Sequence, residues 1–104
     1  GEGSDTPLGL YLQPAMPRDI LTRMLRNLKE IFSSQSDWQR LKCVLDRLIV
    51  LNPDAIDERR DRGLALLSLG LNAEARDDLQ AYVSQATDAK DLDFIRLQLA
   101  SIET

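Results

Sequence analysis

The densest chemistry in the chain is a run of six consecutive charged residues, Asp57-Glu58-Arg59-Arg60-Asp61-Arg62, followed by the largely apolar Gly63-Leu64-Ala65-Leu66-Leu67-Ser68-Leu69-Gly70. Such a run is either a solvated spacer leading into a buried segment or one helix whose charges have a role. The sequence has no histidine, which removes the commonest general acid–base group near neutral pH and any Cys–His or Ser–His nucleophilic pair. Cys43 has no second cysteine to pair with and reads as a small, buried, structural hydrophobe. The acidic residues are scattered rather than set in a ligand loop, so neither a metal nor a cofactor is indicated and no enzyme activity is expected.

The elements that must position these charges follow from composition and spacing. At 104 residues, 43% hydrophobic and 29% charged, with five Gly and four Pro, the chain has the usage of one ordered, helical domain. A net charge of -4 disfavours nucleic acid and anionic membranes as partners. The longest apolar run, Leu48 to Leu51, falls far short of the roughly 20 residues of a membrane span, and no basic-then-apolar leader opens the chain, so a soluble, cytoplasmic setting is expected. Residues 1–16 hold three Gly and two Pro without helical period and read as a linker or arm from an upstream domain, and residues 17–104 read as the folded part.

Within that part the spacing predicts an all-α fold of about five helices. The first begins at Pro17 and carries Ile20, Leu21, Met24, Leu25, Leu28, Ile31 and Phe32 on one face. Asp37 is placed to cap a second, bearing Trp38, Leu41, Val44, Leu45 and Leu48, which Asn52-Pro53 ends. The third has Asp57 and Glu58 in its early turns and stops at Gly70. Asn72 would cap a fourth through Leu79, Tyr82 and Val83, Ala86-Thr87-Asp88 breaks it, and a last helix runs through Leu92, Ile95, Leu99 and Ile102.

Numbering from Thr22 in units of 34 puts Phe32 at position 11, Leu41 at 20, Leu45 at 24 and Pro53 at 32; the next unit, from Ile56, puts Gly63 at 8, Leu66 at 11, Ala75 at 20 and Leu79 at 24. This pattern resembles the tetratricopeptide repeat, over about residues 22–102, as two antiparallel helix-turn-helix repeats and a C-terminal capping helix. Lys29 and Leu41 stand where small residues are usual, and Arg59 and Arg62 where apolar ones are. The wording of the runs PRDILTRMLRNLKEIF, DWQRLKCVLDRLIVLNPD and ERRDRGLALLSLG is also similar to the C-terminal helical part of bacterial SirB-type transglutaminase-like proteins. That resemblance implies an upstream papain-like core. None of the core's Cys and His positions has a counterpart here, so it carries over no catalytic role.

The tetratricopeptide resemblance implies a concave groove lined by the first helix of each pair, used for protein–protein interaction. The corresponding positions include Arg23, Arg26, Glu30, Ser33 and Ser34 in the first unit, Asp57, Arg60, Leu64, Leu67 and Ser68 in the second, and Asp91 and Phe94 in the cap. Arg26 and Arg60 recur at position 5 and either contact an acidic segment or pair with Glu30 and Asp57. The carboxylate clamp of heat-shock co-chaperones is excluded, because Glu30, Asp61 and Asp91 fall where it resembles a set of Asn and Lys. Arg59 and Arg62 either pair with Asp46, Asp61 or Glu58, or contact an upstream domain, or lie exposed on a rotated helix. The partner expected is a peptide segment or the protein's own upstream domain; the alternative is a docking element or homodimer using exposed helix faces.

Overall fold

The computed structural model describes residues 16–103, within which five helices follow one another: α1 (Arg18–Ser34), α2 (Trp38–Leu51), α3 (Ile56–Ser68), α4 (Asn72–Gln85) and α5 (Leu92–Glu103). Among the described residues there is no strand. The arm assigned to residues 1–16 lies outside the described residues apart from Met16. Each helix packs closely only on its neighbours in sequence, α1 on α2, α2 on α3, α3 on α4 and α4 on α5. That is the connectivity of an array built from hairpins, in which a helix pair cannot cover its own apolar face.

The turns explain the boundaries. Ser36, at a φ of 55°, closes α1, with Asp37 N–H bonding Phe32 O at 2.9 Å and Ser36 N–H bonding Ser33 O at 3.1 Å, a pattern glycine would adopt with less strain. The Asp37 side chain then caps α2 by accepting from Arg40 N–H. Gly70 repeats the α1 ending at the end of α3, with a φ of 78° and a 2.9 Å bond from Leu71 N–H to Leu66 O. This turn corrects the expected cap. Leu71 holds the N-cap position of α4, with no side-chain bond, and Asn72 is the first residue inside the helix.

Two apolar clusters fill the array. The first joins Leu21 and Leu25 of α1, Leu41, Val44, Leu45 and Leu48 of α2, and Ala65 of α3, with Trp38 and Phe32 packed against it. The second joins Leu79 and Tyr82 of α4 to Leu92 and Ile95 of α5, with Ile56, Leu64 and Leu67 of α3 against it. Helix α3 thus serves both clusters from its apolar half. Gly63 lets it approach α4. A Cβ added there would lie 2.7 Å from Leu79 Cγ and Cδ2, and 3.3 Å from Asp78 Cβ. Cys43 departs from its expected burial: it is exposed on α2, off the stripe formed by Leu41, Val44, Leu45 and Leu48, so the reading of a buried hydrophobe is corrected.

Candidate partner-binding groove

The charged run is neither a spacer nor a solvated face. Helices α1 and α3 do not approach through their backbones, and long charged side chains bridge them instead. Glu58, only 3% exposed, accepts from Lys29 Nζ at 2.6 Å and from Arg26 Nε at 3.4 Å. Lys29 Nζ also reaches Asp61 Oδ2 at 2.6 Å. Arg60 continues the chain of bridges towards α5, with Nε at 2.9 Å from Asp61 and Nη1 at 3.0 Å from Asp91. Asp57 lies at the outer limit of pairing, 4.0 Å from Arg60. The buried Tyr82 hydroxyl donates to the other Asp91 oxygen, and the Arg60 guanidinium carbon lies 5.5 Å from the Tyr82 ring centroid.

Burial opposes the charge on Lys29, yet hydrogen bonds to Asp61 and Glu58 hold its ammonium above the usual lysine range. The Tyr82 hydroxyl, aided by Arg60 against the opposing effect of burial, holds the Asp91 carboxyl below the usual aspartate range. Burial first, and the Asp91 bond second, raise Tyr82. The signs follow from linkage. Asp91 contributes stability above the ordinary aspartate pKa, and that contribution disappears as pH falls through its lowered value. Tyr82 contributes below the ordinary tyrosine pKa and is lost as pH rises through its raised one. Tyr82→Phe is therefore expected to destabilise the fold by about 1–2 kcal/mol at pH 7. Urea titrations at pH 7 and pH 3 should show the difference from the parent shrinking at the lower pH; an equal difference at both would show that the charged state of Asp91 is not involved.

Between α1, the start of α2 and α3 lies a pocket of about 310 Å³, lined by Lys29, Ser33, Trp38, Leu41, Asp61, Leu64, Ala65 and Ser68. Three of these, Ser33, Leu64 and Ser68, are groove positions read from the sequence. The pocket opens beside Lys29 and Leu41, the two residues that depart from the small-residue positions of the first unit. Of the remaining candidates, Arg26 has a side chain 53% exposed but pairs with Glu58 rather than Glu30, and Glu30 is exposed. The bridging roles of Lys29, Glu58 and Asp61 were not assigned from sequence.

Arg59 and Arg62 turn the other way, towards α2 and α4. Both bond the buried Asp78: Arg62 through Nε at 2.7 Å and Nη2 at 2.8 Å, Arg59 through Nε at 3.1 Å. Arg62 Nη1 also reaches Asp46 at 2.9 Å, so Asp46 is a partner as expected, whereas Asp61 and Glu58 serve the groove side. Asp78 is the partner that sequence reasoning missed. A carboxylate between Ala75 and Tyr82 in the apolar stripe of α4, facing a unit with two arginines at apolar positions, was the available signal.

Among the described residues no group of His, Cys, Asp or Glu is placed to hold a metal ion, and no helix is long and apolar enough to cross a membrane. In comparison with known proteins, the tetratricopeptide repeat family matches residues 28–100. The chain is 37% identical over 98 residues to a UPF0162 protein of Xylella fastidiosa strain 9a5c, and 36% identical over 98 residues to one from strain Temecula1. Each alignment takes in 94% of this chain and 35% of the relative, so the chain spans about a third of the length of the curated proteins it matches. No solved structure matches it.

Proposed function

The chain belongs to the tetratricopeptide repeat family, and from that premise we propose that it is a non-catalytic protein–protein interaction module which recognises a polypeptide segment in the groove formed by α1, α3 and α5. The observation that carries this reading is the pocket at Trp38, Leu41, Leu64 and Ala65, whose lining also takes in Ser33 and Ser68. In a larger protein the module would be the accessory helical part beside a transglutaminase-like core, a reading that rests on the resemblance of its helices to SirB-type proteins. Arg59 and Arg62 enter that picture as an interdomain contact made by guanidinium groups about a quarter to a third exposed and already held by Asp78.

A second reading is favoured by a specific observation. On α5, Phe94 is 51% and Leu97 67% exposed, a pair of large apolar side chains with no covering helix among the described residues. Under this reading α5 docks the module onto the rest of its own protein or onto a second copy, and the groove takes no external ligand.

Ser33 and Ser68 are exposed at the pocket rim, so Ser33→Arg with Ser68→Arg obstructs the groove without entering the core. Affinity capture with the intact protein is expected to lose its partner in this variant and retain it in Leu97→Ser on α5, which is not a groove position. The reverse pattern, or a change of mass in light scattering confined to the α5 variant, would establish docking through α5 and remove the groove reading.

A further inference from the structure

The pocket in the groove has a shape and a charge setting that narrow its occupant. At about 310 Å³ it lies at the small end of ligand pockets, room for one large side chain rather than for a cofactor. Its apolar lining is Trp38, Leu41, Leu64 and Ala65, and its charged lining residues are Lys29 and Asp61, bonded to each other at 2.6 Å.

The cations beside the pocket are committed, Arg26 and Lys29 to Glu58 and Arg60 to Asp61 and Asp91, while the exposed Arg23 lies nearer the start of α1. An acidic segment laid over the pocket would have to displace one of those carboxylates to gain a cation there. Two carboxylates of the same face are open to solvent by contrast: Glu30 is exposed, and the Asp57 side chain is 69% exposed. Charge complementarity therefore favours a basic segment, and burial of the pocket's apolar lining favours an apolar side chain within it.

We infer that this pocket is the specificity subsite of the groove, and that it takes a single large apolar side chain, leucine or phenylalanine in size, from a peptide segment carrying lysine or arginine on either side of it. The inference rests on the groove reading above and adds the chemistry of the partner. Ser33 and Ser68 complete the lining and are exposed, so a bound segment passes over them. Docking in this way leaves the Arg26–Glu58–Lys29 bridge intact, since the side chain enters beside the bridge rather than through it.

The test uses the whole chain, labelled with ¹⁵N, and three blocked heptapeptides with a common Gly-Ser frame and the centres Lys-Leu-Lys, Lys-Ala-Lys and Glu-Leu-Glu. The Lys-Leu-Lys peptide is expected to shift the amide signals of Ser33, Leu64 and Ser68 and the indole signal of Trp38. Both other peptides should bind at least about tenfold more weakly, one for want of apolar burial and the other through charge. The Ser33→Arg, Ser68→Arg variant, checked by circular dichroism to be folded, should lose the shifts. Equal binding of all three peptides, shifts that map elsewhere, or no binding at all would overturn the inference. Tighter binding of Glu-Leu-Glu with shifts at Arg26 and Arg60 would overturn it while leaving the groove as the recognition surface. No peptide shifts together with undiminished partner capture by the obstructed variant would remove both.

Discussion

Gly63→Ala lowers the unfolding free energy by about 1–2 kcal/mol, and Gly63→Leu abolishes the cooperative transition. On an exposed helix the first substitution would stabilise by about 1 kcal/mol through helix propensity. Here the new methyl meets Leu79 Cγ and Cδ2 at 2.7 Å, a separation real Cβ atoms do not tolerate, and Leu79, on α4, is fully buried. Overpacking of this kind costs about 1–3 kcal/mol, and the high end applies because Asp78 Cβ, held in its ion pairs, closes the other side at 3.3 Å. Urea titration followed by far-ultraviolet circular dichroism measures the change. A Leu79→Val partner substitution should recover part of it, giving a favourable coupling in the double-mutant cycle. Gly63→Ala that is as stable as the parent would show that the two helices separate freely, and the account of Gly63 as a contact residue would be wrong.

The second large effect is expected at Asp78. With 2% of its surface exposed, it accepts from the Arg59 and Arg62 guanidinium groups and ties α3 to α4, while Arg62 ties both to Asp46 on α2. Removing one partner of a buried ion pair leaves the other charge without compensation, typically about 3–5 kcal/mol. The arginine side chains are 32% and 24% exposed and regain some water, so Asp78→Ala should cost about 2–3 kcal/mol. Asp78→Asn should fall close to it, since it keeps the shape and removes the charge. A control lies on α5, where Arg96 faces Asp93 at 3.7 Å with both side chains largely in solvent; Arg96→Ala should change stability by less than about 0.5 kcal/mol. If Asp78→Ala proved as mild as the control, the buried network would contribute nothing measurable, and the charged half of α3 would owe its position to the apolar half alone.

The helices were legible because their signals are local. The apolar spacing around Leu21, Leu25, Leu41 and Leu45, the cap at Asp37 and the stops at Asn52 and Gly70 each act within a turn or two of the residues they govern. Gly63 was legible as a crossing residue because repeat spacing converts a sequence position into a spatial one. What could not be read was the choice of partner among many carboxylates. Arg62 has Asp46 and Asp78 sixteen residues away on either side, and Arg59 reaches the same Asp78 across nineteen; only the rotation of α3 decides between these and the nearer Asp61 and Glu58. Gly63 against Leu79 and Ala65 in the first cluster are contacts consistent with that rotation, and they lie on the apolar side of the helix. The groove pocket was hidden for a related reason. Ser33, Leu64 and Ser68 were assigned to the groove from repeat position, but the pocket is also lined by Lys29 and Leu41 at small-residue positions, and a departure from a pattern does not say what shape replaces it.

Packing restricted to sequential neighbours bears on how the chain reaches this structure and how the array can be extended. Among the described residues the longest-range side-chain bridges, Arg26 to Glu58 and Lys29 to Asp61, join positions 32 apart, so each closure needs only about one hairpin of chain. Order is free to start in either apolar cluster and to spread through α3, with no distant segment to be found and no ring to be closed. Length is then an open variable. A further hairpin set against Phe94 and Leu97 would add its own interface and leave every existing one in register, so the architecture grows by appending rather than by redesign.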